Sequence, residues 1–126
     1  MLSLKRVYDV ATPDDGFRIL VDRLWPRGVK KETARVDAWF KDLAPSAELR
    51  KWFGHDPARW DGFLRRYQEE LRRKAGLLAA IAARARGETV TLLYGARDRE
   101  HNQAVVLKRF LETEACSEPA GRVRVR

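Results

Sequence analysis

Two histidines, His55 and His101, are the residues of this 126-residue chain best suited to moving protons near neutral pH. His101 lies in "LLYGARDREHN", where a strand-like run ends in a Tyr94-Gly95 turn and Asp98 stands as the cap of a following helix. That reading puts His101 and Asn102 in the first helical turn. Free backbone N–H groups and the macrodipole at such a start favour an anion, and Arg97 and Arg99 add donors. The plainer alternative is a structural helix start with a solvated His101. His55 lies in "KWFGHDPARW", between the helix terminator Gly54 and the helix-start pair Asp56-Pro57. If it faces the same pocket as His101, the two can share acid–base work. Its neighbours Trp52 and Trp60 otherwise read as core.

The third stretch is "LVDRLWPRG", Leu20 to Gly28. Asp22 and Arg23 follow directly on Ile19, Leu20 and Val21, and charged residues are seldom buried without partners. Successive strand residues point to opposite faces, so the two need different partners. Arg27, Lys30 and Lys31 are candidates to receive Asp22. Two readings stay open: a salt-bridge network fastening the loop, or an electropositive pocket floored by Trp25 and stiffened by Pro26 for a phosphate or carboxylate. The catalytic candidates are therefore His101, His55 and Asp22. The ligand-binding candidates are Arg23, Trp25, Arg27, Tyr94, Asp98 and Asn102. Two histidines and an aspartate without ligand spacing give no reason to expect a metal site, and no cofactor is indicated. P-loop, dinucleotide-binding and nucleophile-elbow motifs are all missing.

These groups need elements to hold them. "SLKRVYDV" reads as a strand and "ATPDDG" as a turn. "FRILVDRLW" has Phe17, Ile19 and Val21 on one face and Leu20 and Leu24 on the other, as an interior strand covered on both sides would. "VDAWFKDLAP" carries Val36, Trp39, Phe40 and Leu43 at helical spacing and stops at Pro45. Ser46 caps a short helix that ends at Gly54. Asp56 and Pro57 open a longer one with the stripe Trp60, Phe63, Leu64, Tyr67 and Leu71. A second alanine-rich helix runs to Gly87 after a break near Gly76. "ETVTLLYGA" is the clearest late strand, and Ala104, Val105, Leu107, Phe110 and Leu111 form the buried face of the last helix. Helices between strands favour parallel pairing through crossovers. The expected fold is a small three-layer α/β domain with a short, mainly parallel sheet and a helical middle segment, with α+β as the alternative. Residues 1–114 form one domain and 115–126 a basic tail. In open parallel sheets ligands bind beyond the carboxyl ends of the strands, where "LVDRLWPRG" and "LLYGARDREHN" fall.

The totals add limits. At 44% hydrophobic residues with four tryptophans, the chain is globular. No apolar run is long enough to cross a membrane, and the start lacks a signal-peptide hydrophobic region. The single Cys116 permits neither an internal disulfide nor a multi-cysteine zinc site, so a reducing, cytoplasmic location is expected. A net charge of +8 favours anionic partners without choosing among them. The arginines between Arg65 and Arg86 interleave with the core stripe, as on a solvated helix face.

The segments "RVYD", "GFRILVDRLWPRGVKKE", "WFKDLAPS", "LRKWFGHDPARWDGF", "RYQEEL" and "VTLLYGARDREHNQAVVL" closely resemble the YeaO-like branch of the domain-of-unknown-function family 488, small uncharacterised bacterial proteins. The resemblance spans Arg6 to Leu111 and brings no established activity. Larger relatives in the group carry a cysteine at the end of the late strand and a Cys-His-Arg triplet at the next helix start. Here Tyr94 replaces that cysteine, and Glu100-His101-Asn102 replaces the triplet, so thiol chemistry does not transfer. The resemblance implies a family-wide site built on Asp22, Arg23, Arg27, His55, Asp98, His101 and Asn102. The leading expectation is an anion-binding domain with histidine-assisted acid–base chemistry. The alternative is non-catalytic binding of nucleic acid or a protein partner through the basic helical face and tail.

Overall fold

The computed structural model of the chain describes residues 1–115; Cys116 and nearly all of the expected basic tail lie outside the described residues. Four strands, β1 (Leu2–Arg6), β2 (Phe17–Leu20), β3 (Ala38–Trp39) and β4 (Val90–Tyr94), form one sheet in the order β1-β4-β2-β3. Every pairing is parallel, with Leu4 opposite Leu92, Ile19 opposite Leu92 and Leu20 opposite Trp39. Five helices accompany the sheet: α1 (Lys31–Ala34), α2 (Ala47–Phe53), α3 (Trp60–Arg72), α4 (Ala75–Gly87) and α5 (Gln103–Phe110). The chain is a small α/β domain, and β2 is an interior strand as its two-sided pattern predicts.

Alternation along the strands separates two apolar layers. Ile19, Val21, Val90, Leu92 and Tyr94 face the helical side, where they join Phe63, Tyr67, Leu71, Ile81, Val106 and Leu107 in the main core. Leu20 and Leu93 face the other side, packed with Val7, Trp25, Val29, Val36 and Trp39. The helical layer is built from residues that read as helices for physical reasons. Ser46 accepts the Leu49 N–H at 3.1 Å, Asp56 accepts that of Ala58 at 3.0 Å, and Gly54 closes α2 at φ 54°. The opposite layer is thin, made of the β1–β2 and β2–β3 connections with the single turn of α1.

One expected helix is absent. Val36 to Leu43 shows helical spacing, yet Ala38-Trp39 is β3 and only Lys41–Leu43 makes a 3-10 turn. The open edge of β2 offers hydrogen bonds that a helix could not use: Asp37 N–H donates to Arg18 O at 2.8 Å and Phe40 N–H to Leu20 O at 2.9 Å. Tertiary pairing outweighs a four-residue periodicity. Leu24, expected to face inward, is 71% exposed because the strand ends at Leu20 and the chain turns outward. The first strand likewise stops at Arg6 and not Val10.

The turn "ATPDDG" is a 3-10 turn, Pro13–Asp15, ending at Gly16 with φ 65°. A side chain there would run into the Thr89 backbone, so only glycine brings the chain into β2 at this distance. Asp15 and Arg18, both buried, form an ion pair beneath this turn. Lys5 Nζ reaches Asp15 at 2.8 Å, and Arg18 also donates to the carbonyls of Ala34 at 2.8 Å and Arg35 at 3.0 Å.

Candidate functional site

The carboxyl ends of β2 and β4 lie side by side, and Asp22 joins them. Its Oδ2 accepts the Gly95 N–H at 3.0 Å, and its Oδ1 accepts the Gln103 side-chain amide at the start of α5. The Asp22 carbonyl takes the Trp39 indole N–H at 2.7 Å. Gly95 is small for a reason: an added Cβ would stand 2.8 Å from the Asp22 carboxylate. Half-buried Asp22 has no salt bridge among the described residues. Burial pushes its carboxyl up to about 6, offset only in part by the Gly95 and Gln103 hydrogen bonds and the nearby charge of Arg50. The sequence reading had Arg27, Lys30 or Lys31 as the receiving cations. The structure corrects this, because Asp22 turns inward and is held by an N–H and an amide.

Gln103 also lines an open cleft of about 310 Å³ whose polar members are Arg50, Lys51, His55, His101, Asn102 and Gln103. Arg50 and Lys51 come from α2, His55 from the turn beyond Gly54, and the others from the β4–α5 junction. Phe53 and Phe63 form the apolar wall. Both histidines thus line one cavity. His55 is exposed, has φ 56° and lies with its ring centroid 6.0 Å from that of Phe53. His101 is half-buried, with its ring edge-on to Trp60 at 5.1 Å.

Asp98 holds His101 in place. Its Oδ2 lies 3.0 Å from His101 Nδ1, and its Oδ1 accepts the N–H groups of Glu100 and His101, each at 2.9 Å. Those two N–H bonds, helped by the imidazole, hold the Asp98 carboxyl below its ordinary range. An imidazole anchored through Nδ1 keeps Nε2 for a ligand or a proton. The expected helix cap is shifted: α5 begins at Gln103, and Asn102 is its cap, accepting the Val105 N–H at 3.1 Å. Asp98 instead closes the preceding turn, and His101 precedes the helix and is not in its first turn. Asn102 is spent structurally on both ends, since its amide donates to Asp98 O at 2.8 Å.

Five of the six expected binding residues, Arg23, Trp25, Arg27, Tyr94 and Asp98, are not among those lining the cleft; only Asn102 is. Arg23 and Arg27 are exposed on the loop layer, and Trp25 packs edge-on against Trp39 at 5.5 Å, its N–H on Val29 O at 2.7 Å. Tyr94 is buried at 2% exposure beside Arg99, and burial pushes its phenol up. Arg99 makes two hydrogen bonds to Asp9, at 2.9 and 3.0 Å. Arg50, Lys51 and Gln103 are the cleft residues that motif reading missed. Arg50 and Lys51 sit in the last turn of α2, a place where cations suit the helix dipole, so nothing marked them as more than that. Among the described residues no group of three or more His, Cys, Asp or Glu is gathered for a metal, and no helix is long and apolar enough to cross a membrane.

The family model described as the inactive DUF488-N3 subclade matches residues 1–123. An uncharacterised protein of Mycobacterium tuberculosis is 46% identical over 110 residues, covering 87% of this chain and 92% of the relative. One of Mycobacterium bovis gives the same figures. The uncharacterised protein YeaO of Escherichia coli is 42% identical over 112 residues, covering 89% of this chain and 97% of its own. No solved structure matches significantly. With a family match across nearly its whole length and relatives covered almost end to end, the chain belongs to the DUF488-N3 family, in the YeaO-like group that its strand-end and helix-start motifs resemble.

Proposed function

We propose that the protein binds a small anionic ligand, a phosphate or carboxylate, in the cleft at the carboxyl ends of β2 and β4. One observation carries this reading: Arg50, Lys51 and His55, from α2 and the turn that leaves it, and His101, about fifty residues later, line one cavity of about 310 Å³. Arg50 and Lys51 take the charge-holding role that the sequence assigned to Arg23 and Arg27. His101, oriented by Asp98, presents a hydrogen-bonding nitrogen and would carry the proton in any acid–base step. The description of the family's subclade as inactive supports holding the ligand over turning it over. The net charge of +8 raises the encounter rate with such a ligand.

The test is a thermal-shift titration with inorganic phosphate, sulfate and citrate. Ligand binding to the folded state raises the melting temperature with concentration. Arg50→Ala should abolish the rise, and Arg27→Ala should leave it intact. No rise with any of the three anions at millimolar concentration refutes the reading. The helical-face alternative has less support: Arg66 lies over Trp52 at 4.1 Å, and Arg72 is paired with Glu69.

A further inference from the structure

The thin layer of the sheet carries a second charged surface, separate from the cleft. Arg23, Arg27, Lys30, Lys31 and Arg35 are all exposed, and Glu32 is the one acid among residues 23–35. Among the described residues none of these five cations is ion-paired. The grooves on this side also hold Asp37 and Asp9, the latter paired with Arg99, but the five cations outnumber them and give a surface of net positive charge, suited to a polyanion.

The relief of this surface narrows the choice of polyanion. An open groove of about 430 Å³ is lined by Tyr8, Val10, Gly28, Lys30 and Arg35. A second, of about 520 Å³, is lined by Thr12, Gly16, Arg18 and Asp37 and shares Ala11 and Arg35 with the first. Tyr8 is 46% exposed, its hydroxyl donates to Arg27 O at 2.8 Å and the Arg6 guanidinium lies over its ring, 4.8 Å from the centroid, which together pin the ring beside the basic loop. Gly28 has φ 79° and open space where a side chain would be, so the groove floor stays low.

We propose that this layer binds single-stranded nucleic acid, with phosphates on Arg27, Lys30 and Arg35 and a base against Tyr8. A single strand alternates charge with flat apolar rings, and a basic track with an aromatic ring matches it. A duplex reader would present a long helix or a β-ribbon to a groove; here α1 is one turn. An acidic peptide would satisfy the cations but supply no ring for Tyr8.

Fluorescence anisotropy on the full chain tests this, with labelled oligothymidylate and oligouridylate of about 12 nucleotides. Binding should weaken steeply with salt, and each phosphate contact removed should reduce the log–log slope by about 0.7. Arg27→Glu with Lys30→Glu should lower affinity about tenfold or more, and Tyr8→Ala about fivefold or more. Arg65→Glu with Arg73→Glu, exposed on α3 and at its C-terminal end, should change it little. All these side chains are exposed, so equal melting temperatures confirm intact folds, and the phosphate-induced shift of the cleft should survive in the loop variants. No oligonucleotide binding at low salt overturns the proposal. So does binding lost with the α3 variant and not the loop variant. Loop-dependent binding to phosphatidylserine vesicles in place of oligonucleotides assigns the patch to a membrane surface instead and also overturns it.

Discussion

Asp15 and Asp22 flank the same strand and are treated in opposite ways. Asp15, on the loop-covered side near the start of β2, is 6% exposed and meets Lys5, Arg18 and the Thr12 N–H. Burial works to raise its carboxyl, but those hydrogen bonds outweigh it and hold the group at about 2. Asp22, just past the other end, meets one N–H and one neutral amide, and burial prevails to bring it to about 6. The difference is one of partners. Where the protein needs a joint it supplies full countercharge. Beside the cleft it leaves a carboxylate short of countercharge, a pattern often found at functional sites.

The comparison breaks most readily at Asp15. Arg18→Ala should cost about 3–5 kcal/mol in urea unfolding, because it leaves a buried carboxylate without its nearest guanidinium and frees two carbonyls. Wild-type stability should also fall in acid. The folded pKa of about 2 lies below the unfolded value of about 3.9, so the Asp15 contribution is complete above that value and is lost as pH falls through about 2. A loss under 1 kcal/mol, roughly that of a surface pair, would make Asp15–Arg18 an ordinary exposed contact and end the contrast.

Asp22 should respond with the opposite sign. Its folded pKa of about 6 lies above the unfolded one, so its stabilising contribution is complete below about pH 3.9 and is lost as pH rises through 6. Asp22→Asn, which keeps an acceptor for the Gly95 N–H, should therefore raise stability at pH 7 by up to about 2–3 kcal/mol and flatten the pH profile between about 4 and 6. Chemical denaturation across that pH range checks it, and a destabilised Asn variant with an unchanged profile would show that Asp22 is structural. Smaller still, Gly95→Ala should cost about 1 kcal/mol, since the new methyl must displace the Asp22 carboxylate. Combined with Asp22→Ala the cost should largely vanish, a coupling that a double-mutant cycle reads directly. Least of all, Arg50→Ala should leave stability within about 0.5 kcal/mol while removing the anion response; a large loss of stability would mean that Arg50 is there for the fold.

Much of the fold was legible because its signals are local. Ser46, Gly54 and Asp56 act through bonds to residues two to four positions away, and the Trp60-to-Leu71 stripe needs only the helical repeat. Ala38-Trp39 failed because its identity as a strand depends on β2, some twenty residues earlier in the chain. The candidate site divides the same way. His55 and His101 stood out by type, but that both line one cleft is a fact of the tertiary structure. Arg50, Lys51 and Gln103 are common residue types in ordinary helical positions, and Arg23 and Arg27 looked equally suitable until the strand ended at Leu20 and turned them outward.

By itself the sequence determined the parallel α/β framework, the interior place of β2, the local caps at Ser46, Gly54 and Asp56, and the family to which the chain belongs. Residue type and short-range spacing carry all of these, because they follow from backbone hydrogen bonding and apolar periodicity over a few residues. Only the tertiary structure decided which charges meet. Asp15 found Arg18 and Lys5, Asp22 found Gly95 and Gln103, and His101 joined Arg50, Lys51 and His55 from about fifty residues away. A charge can be paired, buried or left facing a cleft with the same letters around it, and what separates these fates is the desolvation and geometry imposed by elements distant in the chain.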